Sequence, residues 1–573
     1  MQLSEQEVVR REKLVKLRAL GINPYPADLY PITSNSAEIK QDFSENKPVI
    51  IAGRLMSINI QGKASFTQIQ DGEGKIQAYF NRDEICTGED KSKYNTIFKK
   101  LLDLGDFVGI EGELFTTKVG EKTVRVKDFT LLSKALKPLP LPKEKDGVIY
   151  DAFTDPELRY RQRYVDLVVN PHIKEVFIKR TKLFNAMRSF FNNAGYFEVE
   201  TPVLQPIPGG AAARPFITHH NSLDIPLYMR IANELYLKRL IVGGFDGVYE
   251  FSKNFRNEGM DRTHNPEFTA MEIYVSYKDY NWMMGFCEQL LEHCAIAVNG
   301  TSKATFGEHT IDFKAPYPRV TMADSIQHFT GFDITGKTED EIRVAAKSMN
   351  IEVDETMGKG KLIDEIFGEK CEGNYIQPTF ITDYPKEMSP LCKEHRDNPE
   401  LTERFELMVC GKEIANAYSE LNDPIDQRER FEHQLKLAQK GDDEATKFID
   451  HDFLRALEYG MPPTSGMGIG MDRLIMFLTN NQSIQEVLFF PQMRPESKPL
   501  TISDEARNIL KILKSEEKVL LNDLKATSSL SNKKWDKVIK ELTKKGLAKV
   551  EKEDNELFVK HSGPNAKSPG DGF

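Results

Sequence analysis

The sequence has few cysteines, and their arrangement does not indicate a metal or redox site. Its six cysteines are widely separated: Cys86, Cys287, Cys294, Cys371, Cys392 and Cys410. None belongs to a C-x-x-C pair, so we expect neither a zinc knuckle nor a thioredoxin-like site. Scattered cysteines of this kind are typical of reduced thiols in a cytosolic protein.

Long apolar runs are also missing. No segment offers about 20 consecutive apolar residues, which a membrane-spanning helix needs. The N-terminal stretch MQLSEQEVVRREKLVKL is charged and lacks the apolar run of a signal peptide. We therefore expect a cytoplasmic protein without a membrane span. Because the formal net charge is -10, contact with nucleic acid would need local clusters of basic residues.

The first third of the chain predicts a helix and then a small barrel. Residues 1–48 contain an amphipathic helix at 3–20 and a lead-in, and the expected apolar positions of the helix are Val8, Val9, Leu14, Leu17 and Leu20. Between 49 and 134, five short alternating stretches are bounded by turns, with a helical interruption near 92–104. This pattern favours a barrel of the OB type, and an SH3-like barrel or a plain meander is the alternative.

The remaining chain divides into four segments. A proline-rich and then charged stretch at 135–150 predicts a stiff linker. A larger domain at 151–496 mixes long helices with strands. A separate helical unit follows at 500–561, and the last residues, 562–573, have the composition of a disordered tail. The expected fold class is α+β.

Polar residues recur on one face of two predicted strands in the larger domain. In VYEFSKNFRNEGMDRTHNPEFTAMEIYVSY, Arg256 and Glu258 share parity on the first strand. On the second strand Phe268, Glu272 and Tyr274 share parity, while the alternate positions are apolar. Since buried charges are costly unless paired or liganded, this face is either solvated or a site.

A predicted hairpin carries two further carboxylates. In ERFELMVCGKEIANAYSELND the chain turns near Gly411 and Lys412. Glu406 and Glu413 lie on opposite sides of the turn and are able to hold a hard cation together, although exposed glutamates are the commoner outcome. Glu413 has the opposite parity to Asn416, so both face one cavity only if a bulge intervenes.

A glycine-rich strand precedes a predicted helix that begins with Asp472 and Arg473. The spacing in SGMGIGMDRLIMFLT is G-x-G-x-G, and no second strand of a dinucleotide-binding unit follows. The glycines instead favour a close approach of the backbone to a helix or ligand. An arginine held at a helix start is well placed to contact a phosphate.

Taken in order, these stretches resemble the signature motifs of class II aminoacyl-tRNA synthetases. The first motif is matched by the helix, glycine, strand and proline of FIKRTKLFNAMRSFFNNAGYFEVETPVL, the second by F-R-N-E-G with H-N-P-E-F, and the third by G-x-G-x-G-x-D-R. With the barrel, the resemblance covers the chain to about residue 496. It implies an antiparallel catalytic sheet, a homodimer interface at Pro202, and binding of ATP with Mg²⁺.

The resemblance also assigns roles in ATP binding. It implies that Arg256 contacts the α-phosphate and the amino-acid carboxylate, that Phe268 stacks on adenine, and that Arg473 covers the other adenine face and reaches the γ-phosphate. Glu258 and His264 match positions around ATP. Glu406 and Glu413 match the Mg²⁺ carboxylates, and Glu406 also counts among the ATP-binding residues. Arg256, Arg473 and Glu258 are the expected catalytic residues.

Carboxylates in the expected pocket suit a cationic amino acid. In lysine-specific members of the family, residues matching Glu234 and Gly210 hold the α-amino group. Those matching Glu420 and Tyr274 hold the ε-ammonium, helped by Glu272 and Asn416. Tyr418 is expected to pack on the aliphatic stem, where relatives often have Phe, so its hydroxyl needs a partner. The implied reaction forms lysyl-adenylate from L-lysine and ATP and transfers lysine to tRNA(Lys).

The barrel and the C-terminal unit are the expected RNA-facing parts. By resemblance, Phe66 stacks on the central anticodon base and Gln77 hydrogen-bonds it, whereas a barrel-core aromatic is the alternative for Phe66. Beyond Pro499 the resemblance stops, and the pattern is typical of a winged helix. Its second helix has six lysines that form either a phosphate-binding stripe or a solvated face: Lys533, Lys534, Lys537, Lys540, Lys544 and Lys545.

Three other functions compete with this hypothesis. An aspartate- or asparagine-specific synthetase shares the architecture but needs basic residues in the pocket. A paralogue that lysylates a protein resembles the catalytic domain alone, so the barrel disfavours it. A nucleic-acid-binding protein without catalysis has no use for the arginines and carboxylates of the expected site.

Overall fold

The computed structural model describes residues 3–145, 148–150, 153–211, 213–355, 357–439, 448–495, 503–515, 518–553 and 556–561. The chain forms two compact units, divided between Gln492 and Met493. None of the helices within these ranges is long and apolar enough to cross a membrane. The predicted tail at 562–573 lies outside the described residues.

The N-terminal segment forms two helices: α1 Glu5–Ala19 and α2 Ser36–Gln41. Leu14 and Leu17 of α1 are buried as predicted. Three other residues expected on the apolar face are exposed: Val8, Val9 and Leu20. Arg10 is buried instead and donates a hydrogen bond of 3.0 Å to the carbonyl of Ala135, so a guanidinium helps to fix this helix.

The next segment is a closed five-stranded barrel. Its strands are β1 Pro48–Gln61, β2 Ala64–Gln70, β3 Lys75–Asn81, β4 Phe107–Thr116 and β5 Lys122–Ser133. They follow the order β1-β2-β3-β5-β4, in which β3 and β5 are parallel. A short helix α3, Arg82–Ile85, and a π-helix, Lys93–Leu101, connect β3 to β4. This order confirms the OB-type prediction and excludes a plain meander.

The predicted linker contains regular structure. Two short strands, β6 Lys143–Lys145 and β7 Val148–Tyr150, pair antiparallel. The second half of the predicted linker at 135–150 thus contains a short antiparallel pair, and the bounds of the linker stay a prediction.

The catalytic-domain segment contains twelve α-helices and thirteen strands among the described residues. The helices are α4 Pro156–Arg161, α5 Arg163–Val169, α6 Lys174–Asn193, α7 Glu234–Val242, α8 Tyr280–Asn299, α9 Met322–Thr330, α10 Glu339–Ser348, α11 Lys359–Lys370, α12 Pro424–Gln439, α13 His451–Glu458, α14 Met471–Thr479 and α15 Ile484–Val487. The strands are β8 Phe197–Glu198, β9 Leu204–Gln205, β10 Ile217–His220, β11 Ile225–Met229, β12 Gly247–Phe255, β13 Glu267–Ser276, β14 Lys303–Phe306, β15 His309–Asp312, β16 Arg319–Thr321, β17 Thr379–Thr382, β18 Arg404–Val409, β19 Lys412–Ser419 and β20 Thr464–Gly470. Three 3-10 turns complete it: Pro171–Ile173, Glu372–Asn374 and Lys386–Met388.

Eight of these strands form the central sheet, in the order β16-β17-β18-β19-β20-β13-β12-β8. All pairings from β17 to β12 are antiparallel, and each edge strand adds a parallel pairing. The largest hydrophobic core lies on one face of this sheet, under α6, α8 and α14. Alternation along β13 and β19 therefore sends apolar residues into that core and polar residues to the opposite face.

The C-terminal unit has three helices and a three-stranded sheet within its described ranges. Its elements are α16 Asp504–Ser515, β21 Lys518–Leu520, α17 Leu521–Ser528, α18 Asn532–Lys544, β22 Ala548–Glu553 and β23 Glu556–His561. The sheet order is β21-β23-β22. The winged-helix pattern predicts the last two helices and the β22–β23 hairpin, whereas α16 and β21 were not predicted. A separate core that contains Ile509 and Trp535 holds these elements together.

Candidate active site

A cavity of about 1350 Å³ opens on the polar face of the central sheet. Thirteen of the fourteen catalytic-domain residues predicted to bind ATP, metal or amino acid line it: Gly210, Glu234, Arg256, Glu258, His264, Phe268, Glu272, Tyr274, Glu406, Glu413, Asn416, Tyr418 and Arg473. A single-ligand pocket measures roughly 300–1000 Å³, so this volume suits two reactants. The fourteenth residue, Glu420, does not line the cavity; it is buried beside Tyr274 and Gly466, which do.

Arg256 enters the cavity just beyond a strand end. The prediction that Arg256 and Glu258 lie on the strand is wrong, since β12 ends at Phe255 and Glu258 is exposed in the following loop. The Arg256 amide still donates to the carbonyl of Pro266 at 2.9 Å, which fixes the backbone. Its guanidinium carbon lies 5.1 Å from the Phe268 ring centroid. The buried Nε has no hydrogen-bond partner among the described residues, as expected of a donor that awaits a ligand.

His264 lies in the loop between β12 and β13. Its Nδ1 is 2.8 Å from Asp261, whose carboxylate also accepts from the amide of Thr263 at 2.6 Å. Burial opposes ionisation of Asp261, but these hydrogen bonds outweigh it and hold the pKa of this carboxyl well below its usual range. The ionised Asp261 therefore orients the imidazole at the rim of the cavity.

Arg473 is positioned by its neighbour at the start of α14. Asp472 accepts a 2.7 Å hydrogen bond from the Thr269 amide on β13 and forms a 2.7 Å ion pair with Arg180 of α6. The helix start is thereby fixed to two neighbouring elements. Arg473 projects into the cavity and donates to the main-chain carbonyl of Glu413.

The hairpin of β18 and β19 contains the bulge that the sequence required. Glu406 pairs with Asn416, but the register shifts after Leu407, so that Met408 pairs with Glu413. This shift brings both glutamates and Asn416 to the cavity. Burial and the charge of Glu413 raise the pKa of Glu406 to about 7, although the adjacent Arg404 opposes the rise with a 2.6 Å ion pair.

The pair Glu406 and Glu413 suits a magnesium ion bound together with a nucleotide. No cluster of three or more His, Cys, Asp or Glu residues able to hold a metal occurs in the described ranges. Mg²⁺ commonly uses one or two carboxylates and takes its other ligands from water and substrate phosphates. A cation here also relieves the repulsion that raises the pKa of Glu406.

A fully buried lysine connects two carboxylates of the expected amino-acid pocket. Lys238 Nζ lies 2.6 Å from Glu234 and also pairs with Glu420. Burial opposes its charge, but the two carboxylates outweigh this effect and raise the pKa of the ammonium. The Tyr418 hydroxyl donates to Glu234 at 2.6 Å, which supplies the partner that this extra hydroxyl needs.

Gly466 leaves the space that the Glu420 carboxylate and the Tyr274 ring occupy. A Cβ at this position would lie 2.1 Å from Glu420 Oε1 and 2.4 Å from the Tyr274 ring, so only glycine fits. Tyr274 in turn donates a 2.9 Å hydrogen bond to Glu272. Burial and the charge of Glu234 raise the pKa of Glu272 to about 8.

Gly210 closes the other end of this pocket. It has a φ of +86°, in the region that favours glycine. An added Cβ would lie 3.1 Å from the Ala232 side chain and 3.3 Å from that of Glu234. The backbone of Gly210 therefore passes close to the Cβ and the backbone of Glu234.

The outer face of the barrel presents an aromatic row. Phe66 alternates with the buried Ser65 and Thr67 and is half-exposed, so the alternative of a barrel-core residue is wrong. Its ring centroid lies 5.0 Å from that of Tyr79, and Tyr79 lies 5.8 Å from Phe115. Gln77 is on the same face and accepts a 2.9 Å hydrogen bond from a threonine hydroxyl.

Five residues near these two sites were not predicted from the sequence. They are Lys238 and Arg404 in the cavity region, and Tyr79, Phe115 and Arg125 on the barrel. Tyr79 shares strand parity with Gln77 on β3, which was a usable signal. Lys238 follows Glu234 by one helical turn, and that spacing also predicts a contact.

Comparison with known families agrees with this geometry. The family model "tRNA synthetases class II (D, K and N)" matches residues 155–494, and the model "OB-fold nucleic acid binding domain" matches residues 49–132. The antiparallel sheet, its cavity and the barrel are therefore those of a class II tRNA synthetase.

Curated relatives narrow the class. A protein of Christiangramia forsetii is 75% identical over 562 residues, which cover 98% of this chain and 99% of the relative. Others are from Porphyromonas gingivalis, 70% identical over 87% of this chain and 86% of the relative, and from Azobacteroides pseudotrichonymphae, 65% identical over 86% and 99%. Each has the name "Lysine--tRNA ligase". The chain belongs to the lysine–tRNA ligase family of class II tRNA synthetases.

Proposed function

We propose that this protein activates L-lysine with ATP and transfers the lysine to tRNA(Lys). The observation that carries the proposal is that one cavity is lined by two chemically different sets of side chains. Arg256, Arg473 and the Glu406–Glu413 pair form one set, which suits a nucleoside triphosphate. Buried glutamates and tyrosines form the other set, which suits an amino acid with a cationic side chain.

In the first step, the lysine carboxylate attacks the α-phosphorus of ATP. The new bond gives lysyl-adenylate, and pyrophosphate leaves with the electron pair of the broken bond. Arg256 lies where it meets both reactants, and Arg473 meets the phosphates that leave. These fixed cations stabilise the negative charge that grows on the phosphate oxygens. The attacking carboxylate is already ionised at neutral pH, so the step needs no general base.

In the second step, a ribose hydroxyl of the tRNA attacks the carbonyl carbon of the adenylate and AMP leaves. The cavity holds both reactants in place, and this positioning replaces a costly encounter in solution. Glu258 and His264 at the rim are the proposed further contacts to ATP, and Phe268 offers its ring to the adenine.

The amino-acid pocket explains the preference for lysine. We assign the α-amino group to Glu234 and the backbone at Gly210. The ε-ammonium goes to Tyr274 and Glu420, with Glu272 and Asn416 nearby. Tyr418 packs on the aliphatic stem. An aspartate or asparagine side chain would meet carboxylates here, which is unfavourable.

Glu406 and Glu413 are the proposed ligands of Mg²⁺. A bound Mg²⁺ supplies positive charge to the phosphates of ATP and helps to orient them. In the protein, Arg404 and Asn416 hold Glu406 in place through contacts of 2.6 and 3.4 Å.

The barrel is the proposed reader of the anticodon. Phe66 offers a stacking surface for a base and Gln77 a hydrogen-bonding amide, and the aromatic row continues through Tyr79 and Phe115. The Arg125 guanidinium lies 4.6 Å from the Phe115 ring and adds positive charge for the RNA backbone.

We also propose that the protein acts as a homodimer in the cytoplasm, where its substrates ATP and tRNA are found. Pro202 lies between β8 and β9 and is exposed. Its neighbours include large apolar residues that are 58%, 39% and 50% exposed: Phe197, Val203 and Leu204. Apolar patches of this kind often mark protein interfaces.

Lysine-dependent exchange of pyrophosphate into ATP tests the proposal without tRNA. Each standard amino acid is assayed with Mg²⁺, and exchange is expected with lysine alone. Arg256→Ala should abolish exchange while the protein stays folded. Arg428→Ala is the matched control, because Arg428 is exposed, outside the cavity and 3.7 Å from Glu458. Normal exchange by Arg256→Ala would refute the site, and exchange with aspartate would refute the pocket assignment.

A further inference from the structure

Helix α18 of the C-terminal unit has lysines along one face. Lys533, Lys537, Lys540 and Lys544 are spaced by four, three and four residues, so they lie within a narrow stripe of the helix surface. All four are exposed, and none makes an ion pair with a residue in the described part of the chain. We call these four residues the lysine stripe.

The opposite face of α18 fixes the orientation of the stripe. Trp535, Val538 and Leu542 are buried in the core of the unit. Glu541 also holds the helix, through a 2.8 Å hydrogen bond from the Ser503 hydroxyl before α16. The lysine stripe therefore points away from the core on a packed helix.

The stripe does not serve helix stability. Like charges three and four residues apart repel and destabilise a helix. Asp536 and Glu541 flank the stripe, and Glu541 is already engaged by Ser503 and by Lys545 at 3.1 Å. Lys534, outside the stripe, has a partner in Glu505 at 3.3 Å. The four lysines repel one another and yet lie together on one face of a folded helix. This arrangement favours a function of that face in binding anions.

The charge of the whole unit supports the same conclusion. Residues 493–573 contain 17 Lys and Arg against 13 Asp and Glu, whereas the full chain has a net charge of -10. The positive charge is thus concentrated in this unit, and the match to the class II family model ends at residue 494, at the start of the unit. A local basic surface on an acidic protein is the electrostatic pattern of a nucleic-acid-binding surface.

We propose that the lysine stripe binds the phosphate backbone of RNA, namely the tRNA that the enzyme aminoacylates. The identity of the RNA rests on the proposed function. The stripe spans about 16 Å at 1.5 Å per residue, which is long enough for several phosphates. Its four residues are all lysines, whose ammonium groups contact phosphates and do not stack on bases, so the contact is independent of sequence.

The full-length variant K533Q/K537Q/K540Q/K544Q tests the proposal. Its affinity for tRNA(Lys) and that of the wild type are measured between 50 and 200 mM salt. Each lost contact should lower the slope of log affinity against log salt by about 0.7–0.9. If all four lysines contact phosphates, we expect the slope to fall by about 2.8 to 3.6 and the affinity at low salt to fall ~10–100-fold.

Two controls make the outcome decisive. The variant K533R/K537R/K540R/K544R keeps the charges and should keep both affinity and slope. Lysine-dependent pyrophosphate exchange without tRNA should be equal in all three proteins, because the stripe lies outside the catalytic cavity. If the wild type shows no lysine-dependent pyrophosphate exchange, the proposed function is refuted, whatever the result for RNA binding.

An unchanged tRNA affinity and salt slope in the glutamine variant would overturn the proposal. A duplex DNA of similar charge provides a second arm. If only DNA binding weakens and tRNA binding does not, the assignment to tRNA is also overturned.

Discussion

Replacement of Gly466 by alanine is expected to damage the lysine pocket selectively. The new Cβ would lie 2.1 Å from Glu420 Oε1 and 2.4 Å from the Tyr274 ring. Ordinary carbon contacts are about 3.5–4.0 Å, so these groups must move by more than 1 Å. Both are buried, and Glu420 is held by Lys238. Overpacking of this kind costs about 1–3 kcal/mol.

If the displaced groups are those that receive the ε-ammonium, the same free-energy cost lowers kcat/KM for lysine. A loss of 1–3 kcal/mol corresponds to roughly a 5- to 150-fold lower kcat/KM for lysine. The KM for ATP should change little. The assay is pyrophosphate exchange with lysine and ATP varied separately, together with urea unfolding of the unliganded protein.

Gly468→Ala is the matched control for stability. Its Cβ would meet only the Glu272 Cγ, at the ordinary contact distance of 3.7 Å. We expect this variant to unfold at nearly the wild-type urea midpoint, whereas Gly466→Ala unfolds earlier. If Gly466→Ala shows wild-type lysine kinetics and stability, both the proposed role of Gly466 and the assignment of the lysine pocket beside it are refuted.

Three further predictions concern charge and stacking. Lys238→Met leaves Glu234 and Glu420 without their buried cation and should lower the free energy of unfolding by about 3–5 kcal/mol, measured by urea titration; an unchanged urea midpoint would contradict the buried ion pair. Glu272 has a folded pKa of about 8, so its neutral form favours folding at low pH and this contribution is lost as pH rises through 8. Bound lysine stabilises the ionised form of Glu272, so the affinity for lysine should increase from pH 7 to 9 and binding should release a proton. Calorimetry in buffers of different ionisation enthalpy measures this release, and Glu272→Gln should abolish it. Phe66→Ala should raise the KM for tRNA by an amount equivalent to about 1–3 kcal/mol without an effect on pyrophosphate exchange, and equal tRNA kinetics would contradict a stacking role.

Strand periodicity made much of the site predictable. The parity conflict between Glu413 and Asn416 required a bulge, and the register shift after Leu407 supplies it. Parity also placed Phe268, Glu272 and Tyr274 on one face, because one residue in two returns to the same side of a strand. The barrel followed from alternation and turn residues alone.

Contacts between distant segments were not predictable in this way. The hydrogen bond from Tyr418 to Glu234 joins residues 184 positions apart, and no local pattern indicates it. Arg256 and Glu258 lie in a loop because β12 ends at Phe255. Periodicity does not determine where a strand ends, so this position was not predictable. The burial of Arg10 depends on carbonyls supplied by another segment.

If the proposed pocket is correct, the buried Lys238 already supplies it with the chemical group that it selects. Glu234, Glu272 and Glu420 together carry three negative charges when ionised, and the Lys238 ammonium neutralises one of them. The α-ammonium and ε-ammonium groups of bound lysine would neutralise the other two, while its carboxylate is assigned to Arg256. An amino acid with a single ammonium leaves one carboxylate unanswered in a poorly hydrated space, which is unfavourable. In this proposal, three carboxylates are neutralised by three ammonium groups, of which the protein supplies one and the bound lysine two.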